Sequence, residues 1–572
     1  MRLCSIPEFT QKFKECGESG TLALMEEVIR NAVLGALSGV GVAEAVPTIE
    51  RPEAGFGDYS TNAALVASKK LGKSPRELAE ELAQAIQKNL GEKVSKVEVA
   101  GPGFINITLS RGAVALAVAE AVAQGSDWGR GQEEEGKRVM VEYSNPNAFK
   151  EMHVGHLVGT IIGEAVSRLV ENAGATLARA TFGGDIGPNV AKALWGLRKN
   201  GVSQPTTAKE IGDAYVAGSS AYESGPHAKA EIDELNKAIY DGADHELMEL
   251  WRKGREVSVE EFRRIWRLLG THFDFEFFDS DTTEMGLRIV HDGLEKGIFK
   301  KSEGAVIYDG ESKGVHTMVF ITSHNTPTYE TKDIGLAFLK EEHWPSDKAI
   351  IISGNEQTGR FKTVLAALGE IAPLLAAKTA HVANGFLKLT SGKMSSREGN
   401  VITAAELISD VVKKASEKNE DPLVAEQVAV GAIKYMVLRQ SPGSDIIFDP
   451  EKSLSLEGDS GPYLQYALVR AKKLLTYATN GEKGGEEPAE PYAIERAILH
   501  YPEVAARSVR ELSPNLLLTY LTELAATWNA FYATEQVLGS PEEAYKQRVA
   551  QAFANTMTNG LVLLGIPTPE RM

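Results

Sequence analysis

Between residues 137 and 353, apolar runs that read as strands are separated by stretches of helical period. KRVMVEY (137–143) is a buried strand candidate, followed by a loop and a helix over about 154–171. HTMVFI (316–321) and KAIIIS (348–353) repeat the apolar pattern. Strands spaced by helices favour a parallel sheet with crossover helices, an α/β architecture. The flanks differ. Over 20–109, helices alternate with short strands, the clearest at 96–100 and 104–109 around Gly101-Pro102-Gly103. Ser74-Pro75 marks a helix start. The glycine-rich stretch 125–136 (GSDWGRGQEEEG) reads as a linker. Residues 204–267 are charged and helical in period, as an insertion would be. From 425 onward the pattern is almost wholly helical, with 480–490 as a solvated loop. Ser513-Pro514 begins a helix whose Leu517, Leu521, Leu524, Trp528 and Phe531 fall three and four apart.

Charge narrows the function classes. The 572 residues carry 61 basic and 78 acidic side chains, a net charge of −17. That excludes a protein holding nucleic acid by bulk positive charge, though not one with a local basic groove. Two cysteines, Cys4 and Cys16, make neither a disulfide framework nor a four-thiolate metal site, which suits a reducing compartment. No apolar run reaches the ~18 residues of a membrane span. The N-terminus lacks the apolar core of a secretory signal. The expectation is a cytoplasmic protein.

Two motifs carry chemistry. PNAFKEMHVGH comprises Pro146, Asn147, Ala148, Phe149, Lys150, Glu151, Met152, His153, Val154, Gly155 and His156, and lies between a strand and a helix. A helix N-terminus offers unpaired N–H groups and positive potential to phosphate. Gly155 would let a base or phosphate approach the backbone. His153 and His156 could donate to phosphate oxygens, and Lys150 adds a full charge. Alone, the same residues could be an idle His pair or half of a zinc site, but matching zinc ligands are absent from the sequence. The second motif, KMSSREGN (393–400), puts Lys393, Met394, Ser395 and Ser396 on a Gly-bounded loop suited to clamping a triphosphate, or simply a polar loop.

HVGH and KMSS in this order resemble the two signatures of class I aminoacyl-tRNA synthetases. The wider match is to the arginyl-tRNA synthetases. It rests on RPEAGFGDYSTNAA (51–64), AGPGFINI (100–107), VEYSNPNAFKEMHVGH (141–156), TPTYETKDIG (326–335), GAIKYMVLRQ (431–440), EGDSGPYLQYALVRA (457–471) and GLVLLGIPTPERM (560–572). The resemblance implies a Rossmann-like catalytic domain over 129–450, with a helical insertion at about 204–300. A small N-terminal α/β domain (1–128) and an all-helical anticodon-binding domain (451–572) would flank it. It implies arginine activation with ATP and Mg²⁺, no tightly bound cofactor, transfer of arginine to tRNA(Arg), and a monomer with no membrane role. Activation would need bound tRNA. The usual loop reads KMSKS; here Ser396 replaces the second Lys, and Lys150 matches a family replacement for it.

Arginine's planar, always charged fork calls for a carboxylate and planar acceptors. By the resemblance these are Glu142, Asn147, Tyr329, Asp333 and Gln357, and lysine would be rejected by ~10³ or more. Basic runs at Arg263, Arg264, Arg267 and at Arg470, Lys472, Lys473, the aromatics Tyr463, Tyr466, Trp528, Phe531 and Tyr532, and Asn106 or Asp58 are RNA-contact candidates or ordinary surface and core. Two rival readings are a nucleotidylyltransferase, which would lack the KMSS clamp and long helical region, and a silent RNA-binding relative, which would lack the phosphate-binding groups.

Overall fold

A computed structural model describes residues 25–53, 55–390, 402–477 and 487–572. Cys4, Cys16, the KMSS residues Lys393, Met394, Ser395 and Ser396, and most of the 480–490 loop lie outside these residues. The chain forms two compact units: 1–125 with 480–503 and 531–552, and 126–479 with 504–530 and 553–572.

In the first unit, α1 (Met25–Gly39), α2 (Ala63–Leu71) and α3 (Pro75–Leu90) accompany an antiparallel sheet of β1 (Ile49–Glu50), β2 (Tyr59–Thr61), β3 (Val94–Ala100) and β4 (Phe104–Leu109). The sheet order is β1-β2-β4-β3. Proline at the first position starts α3, as its sequence announces, and Leu78, Leu82, Ile86 and Leu90 recur at helical spacing on its buried face. They share a core with Ile29, Val33, Ile105 and Ile107. Each such side chain stabilises the fold by about 1.5–3 kcal/mol relative to exposure. Ser110 caps α4 (Arg111–Gln124) by accepting from the Ala113 N–H. Asp58, a candidate RNA contact in the sequence, is a buried tie instead: it accepts from the Leu109 N–H at 2.7 Å and pairs with Arg496.

The second unit is built on a five-stranded parallel sheet. In chain order come β5 (Arg138–Glu142), α5 (Val154–Asn172), β6 (Thr176–Gly183), the helices α6 (Pro188–Lys199), α7 (Ala208–Ser224), α8 (Pro226–Asp241) and α9 (His245–Leu268), then β7 (Phe275–Phe278) and α10 (Asp279–Glu295). After β8 (Lys300–Ser302), β9 (Ala305–Tyr308) and β10 (Met318–Ile321) follow α11 (Tyr329–His343), β11 (Lys348–Gly354), α12 (Thr358–Ile371) and β12 (Thr379–Asn384). The sheet order is β12-β11-β5-β6-β7. The strand read at 316–321 is not in it. Met318–Ile321 instead closes an antiparallel β10-β9-β8 sheet, because the tight 303–304 turn folds β8 back on β9 and offers β10 an antiparallel edge. Helical character in the insertion ends at Leu268, and Phe275–Phe278 pairs with β6 as a sheet edge.

Strand order reverses beside β5: one neighbour, β6, follows it at once, and the other, β11, arrives some 200 residues later. Ligands of open α/β sheets bind in the crevice outside the strand C-termini at such a switch point. The 143–153 loop leaves the C-terminal end of β5, and Gln357 follows that of β11.

Further on lie α13 (Ala404–Ser416), α14 (Pro422–Leu438), α15 (Gly461–Thr476), α16 (Ala493–Leu499), α17 (Tyr501–Arg510), α18 (Pro514–Thr534) and α19 (Glu543–Leu563). A short parallel pair, β13 (Leu387–Leu389) with β14 (Ile446–Phe448), interrupts them. The stripe read on α18 is buried throughout, and Trp528 stacks on Phe553 at 4.4 Å, so these aromatics are core.

Candidate active site

The loop between β5 and α5 is held under backbone strain. Ser144, Asn145 and Phe149 have φ of 74°, 51° and 64°, a left-handed region that costs a non-glycine residue about 1–3 kcal/mol. Neighbours fix each one. Ser144 Oγ accepts from Thr160 Oγ1 (2.8 Å) and Trp266 Nε1 (3.0 Å). Asn145 Oδ1 accepts from the Phe182 N–H (2.9 Å), and the Phe149 N–H donates to Ser258 Oγ (3.0 Å). The loop rests on the end of β6, where side chains are missing: a Cβ on Gly183 would lie 2.4 Å from the Pro146 carbonyl oxygen, and one on Gly184 2.5 Å from Asn147 Oδ1. Asn147 Oδ1 accepts from the Gly184 N–H at 3.0 Å.

His153 caps α5 by accepting the Gly155 N–H on Nδ1 at 3.1 Å. That bond puts the proton of the neutral ring on Nε2. A Cβ on Gly155 would sit 2.9 Å from the His153 imidazole, so the missing side chain also makes room for this cap. The His153 and His156 rings stack with centroids 3.7 Å apart. Burial, then the neighbouring Lys150, lowers the His153 pKa, and burial holds that of His156 well below the usual imidazole value. Both rings are therefore neutral donors near pH 7. Lys150 Nζ lies 4.3 Å from the centroid of the Tyr215 ring, on α7. The chain that follows the KMSS segment returns to this motif: the Val154 N–H donates to the Ile402 carbonyl (3.2 Å) and the Ala404 N–H to that of Met152 (2.7 Å).

A second cluster of polar groups lies at the ends of β5 and β11. Glu142 and Asp333 border one cavity of about 30 Å³. Glu142 is buried and receives Lys340 Nζ at 2.6 Å. Asp333, one turn into α11, pairs with Arg360 of α12, and Arg360 Nε donates to Gln357 Oε1 at 2.7 Å. Burial pushes the Asp333 acid up to about 7, with Glu142 adding to the rise and Arg360 opposing it. Tyr329 opens α11 and is 57% exposed, its ring 5.4 Å from Lys332 Nζ. Lys332 in turn forms a buried pair with Asp279 at 2.8 Å, and Asp279 Oδ2 faces Gly184 beside Asn147. The sequence reading did not name Arg360, Lys340, Lys332 or Asp279. Arg360 and Lys332 stand close to named residues in the chain, but Asp279 is 53 residues from Lys332, and Lys340 is 198 from Glu142.

Most side chains of the basic runs are paired. Arg263 forks onto Glu276 (2.9 and 2.8 Å), Arg264 pairs with Glu261, and Arg267 with Glu260. Lys472 pairs with Glu570. Such exposed pairs contribute little stability but cancel the local field. Among the described residues, no three His, Cys, Asp or Glu side chains are grouped so as to hold a metal ion.

Comparison with known proteins finds matches over nearly the whole chain. Residues 117–450 match the catalytic domain model of class I (R) tRNA synthetases, 24–109 the arginyl tRNA synthetase N-terminal domain, and 464–572 the DALR anticodon binding domain. The arginine–tRNA ligase of Treponema denticola is 30% identical over 542 residues, covering 88% of this chain and 91% of that protein. That of Limosilactobacillus reuteri is 30% identical over 580 residues, covering 96% and 100%. The solved arginyl-tRNA synthetase of Thermus thermophilus superposes with a TM-score of 0.81 at 26% identity, covering 96% of this chain and all of that one. The Plasmodium falciparum structure, at 20% identity and a TM-score of 0.79, shares the fold. With its strained histidine loop at the switch point of a parallel sheet and a match that runs through all three family models, this chain belongs to the class I arginyl-tRNA synthetases.

Proposed function

We propose that this protein ligates L-arginine to tRNA(Arg) in two steps at the crevice outside β5 and β11. In the first, an arginine carboxylate oxygen attacks the α-phosphorus of ATP; the bond to the bridging oxygen breaks, and pyrophosphate leaves. In the second, a ribose hydroxyl at the tRNA 3′ end attacks the carbonyl carbon and AMP departs. No protein nucleophile takes part, so positioning and charge stabilisation supply the rate.

His153 Nε2–H, the neutral His156 and the N-terminus of α5 would donate to phosphate oxygens as charge grows on them. Gly155 and the segment with Lys393, Met394, Ser395 and Ser396 would hold the nucleotide. Lys150, on a short swing from the Tyr215 ring, would stabilise the leaving phosphates in place of the second Lys that the Ser396 position lacks. Glu142, Asn147, Tyr329, Asp333 and Gln357 would hold arginine. Mg²⁺ would arrive on the ATP phosphates. The functional parts would run 1–128 for tRNA contact, 129–450 for catalysis and 451–572 for the anticodon, in a monomer working in the cytoplasm where tRNA is charged.

The observation that carries this reading is the junction of acid and histidine at one switch point: Glu142 ends β5, and the loop it starts delivers His153 and His156 to the head of α5. Charging total tRNA with each amino acid in turn tests it. Arginine alone should be attached, and Lys150→Ala should slow tRNA-supported pyrophosphate exchange by about 10² or more, the scale of a lost transition-state donor. Charging with another amino acid sinks the specificity; exchange within a few-fold of wild type removes Lys150 from the chemistry.

A further inference from the structure

Two of the five side chains proposed to hold arginine are already engaged by a guanidinium of the chain itself. Arg360 stands in the first turn of α12, immediately beyond β11. Its Nη1 is on Asp333 Oδ2, its Nε donates to Gln357 Oε1 at 2.7 Å, and its guanidinium carbon lies 4.7 Å from the Phe361 ring centroid. A planar fork with one arm on a carboxylate and another on a planar amide is the arrangement a bound arginine side chain would adopt. Resting on the arginine-pocket reading above, we propose that Arg360 is a resident competitor: it fills the guanidinium subsite of the empty enzyme and leaves Asp333 when substrate arginine binds.

Charge and geometry both demand the exchange. A substrate fork needs both oxygens of one carboxylate, and Arg360 holds one of them. The Asp333 side chain is only 11% exposed, so two guanidinium cations on it would leave a surplus charge poorly solvated. Glu142, which borders the same cavity, is neutralised by Lys340 at 2.6 Å. Release is feasible because the Arg360 side chain is 20% exposed and sits at a helix start rather than in a packed helix interior. The device also explains how an almost dry carboxylate survives without substrate: an uncompensated buried charge is costly, and the resident cation compensates it. It sharpens selectivity as well. An ammonium such as lysine's lacks the fork and cannot reproduce both bonds that it must displace.

Competition weakens affinity by the fraction of molecules in which the subsite is free. If the pair is closed in nine molecules of ten, removing it tightens arginine binding about tenfold. Calorimetric titration of the full chain with L-arginine at pH 8.5, where Asp333 is ionised, reads this directly in Arg360→Leu. The expected result is tighter binding than wild type by about tenfold, with methylguanidinium now competing against arginine. Equal or weaker arginine binding overturns the proposal and makes Arg360 an ordinary part of the pocket. A structure of the wild-type chain with L-arginine needs no variant: Asp333 should carry the substrate fork with Arg360 displaced, and an intact Asp333–Arg360 pair beside bound arginine overturns the idea. Asp333→Asn separates the two layers. Arginine binding that survives it unchanged removes the pocket itself, whereas binding lost in Asp333→Asn and weakened in Arg360→Leu removes only the competitor.

Discussion

Asp333 combines two demands that conflict at neutral pH: it must be charged to take a guanidinium, and it is buried where charge is disfavoured. Its acid is pushed up to about 7 from 3.8 by burial and by Glu142 and Glu330, against the pull of Arg360. The folded form therefore holds its proton more tightly than the unfolded chain. Its stabilising contribution is complete below about pH 4 and fades as pH rises to about 7. Arginine binding runs the other way, since the proton must leave. Affinity should rise with pH, by at most about tenfold per unit below 7, and flatten near 8. Of the groups facing the pair, His381 on β12 is lowered to about 4 by burial and stays neutral across this window, and Lys340 is tied to Glu142. Titration calorimetry from pH 6 to 8.5 checks this; a flat profile, or one that survives Asp333→Asn, would assign the proton elsewhere. The resemblance named Tyr329 and Asp333 through the motif TPTYETKDIG. Sequence alone could not disclose Arg360 on Asp333, because 27 residues separate them and only the meeting of α11 and α12 brings them together.

The junction of β5, β6 and α5 decides how far the site tolerates change. The strand at 137–143 and the helix from 154 were legible because one centres on the apolar Val139-Met140-Val141 and the other has helical period. The antiparallel place of 316–321 was not, since its pairing depends on a hairpin with little apolar signal of its own: β8 is Lys300-Lys301-Ser302, all exposed. Nor did spacing reveal the strained loop, which exists because Gly183 and Gly184 let it lie on the sheet end. These two glycines give a contrast. Gly183→Ala drives a Cβ into the Pro146 carbonyl at 2.4 Å, so backbone must move, and we expect about 1–3 kcal/mol of destabilisation with a lower Tm. Gly184→Ala meets the Asn147 amide at 2.5 Å, which can turn away, and Asp279 Oδ2 only at an ordinary contact distance of 3.4 Å. That variant should keep its Tm within a few degrees and raise the arginine KM several-fold, as Asn147 loses its seat. Thermal scans and steady-state charging distinguish them; equal Tm losses with unchanged KM would dissociate Asn147 from arginine.

Across the second unit, the buried Lys434 and the half-buried Arg168 fasten the last helix to the end of α9. Lys434 donates to the carbonyls of Leu269 (2.6 Å) and Gly565 (2.5 Å), partners 165 and 131 residues away, and Arg168 reaches Gly270 and Val562 at 2.8 and 3.0 Å. Both lie in segments whose sequence gives only helical period, and a net charge of −17 hides them. Composition speaks of the solvated surface, while Lys434 works in the interior. Burial, helped by the nearby Arg168, lowers the Lys434 pKa to about 7 against the opposing influence of Glu164. Lys434→Met should cost about 1–3 kcal/mol by leaving two carbonyls without a donor. The loss should also depend on pH. Between about 7 and 10 the unfolded lysine still holds its proton while the folded amine has given it up, so wild-type stability gains a term that grows with pH. The methionine variant has no such term. The gap in Tm between the two should therefore widen from pH 7 to 9.5; a constant gap would mean that the buried amine keeps its proton and that the carbonyls, together with Glu164, solvate it fully.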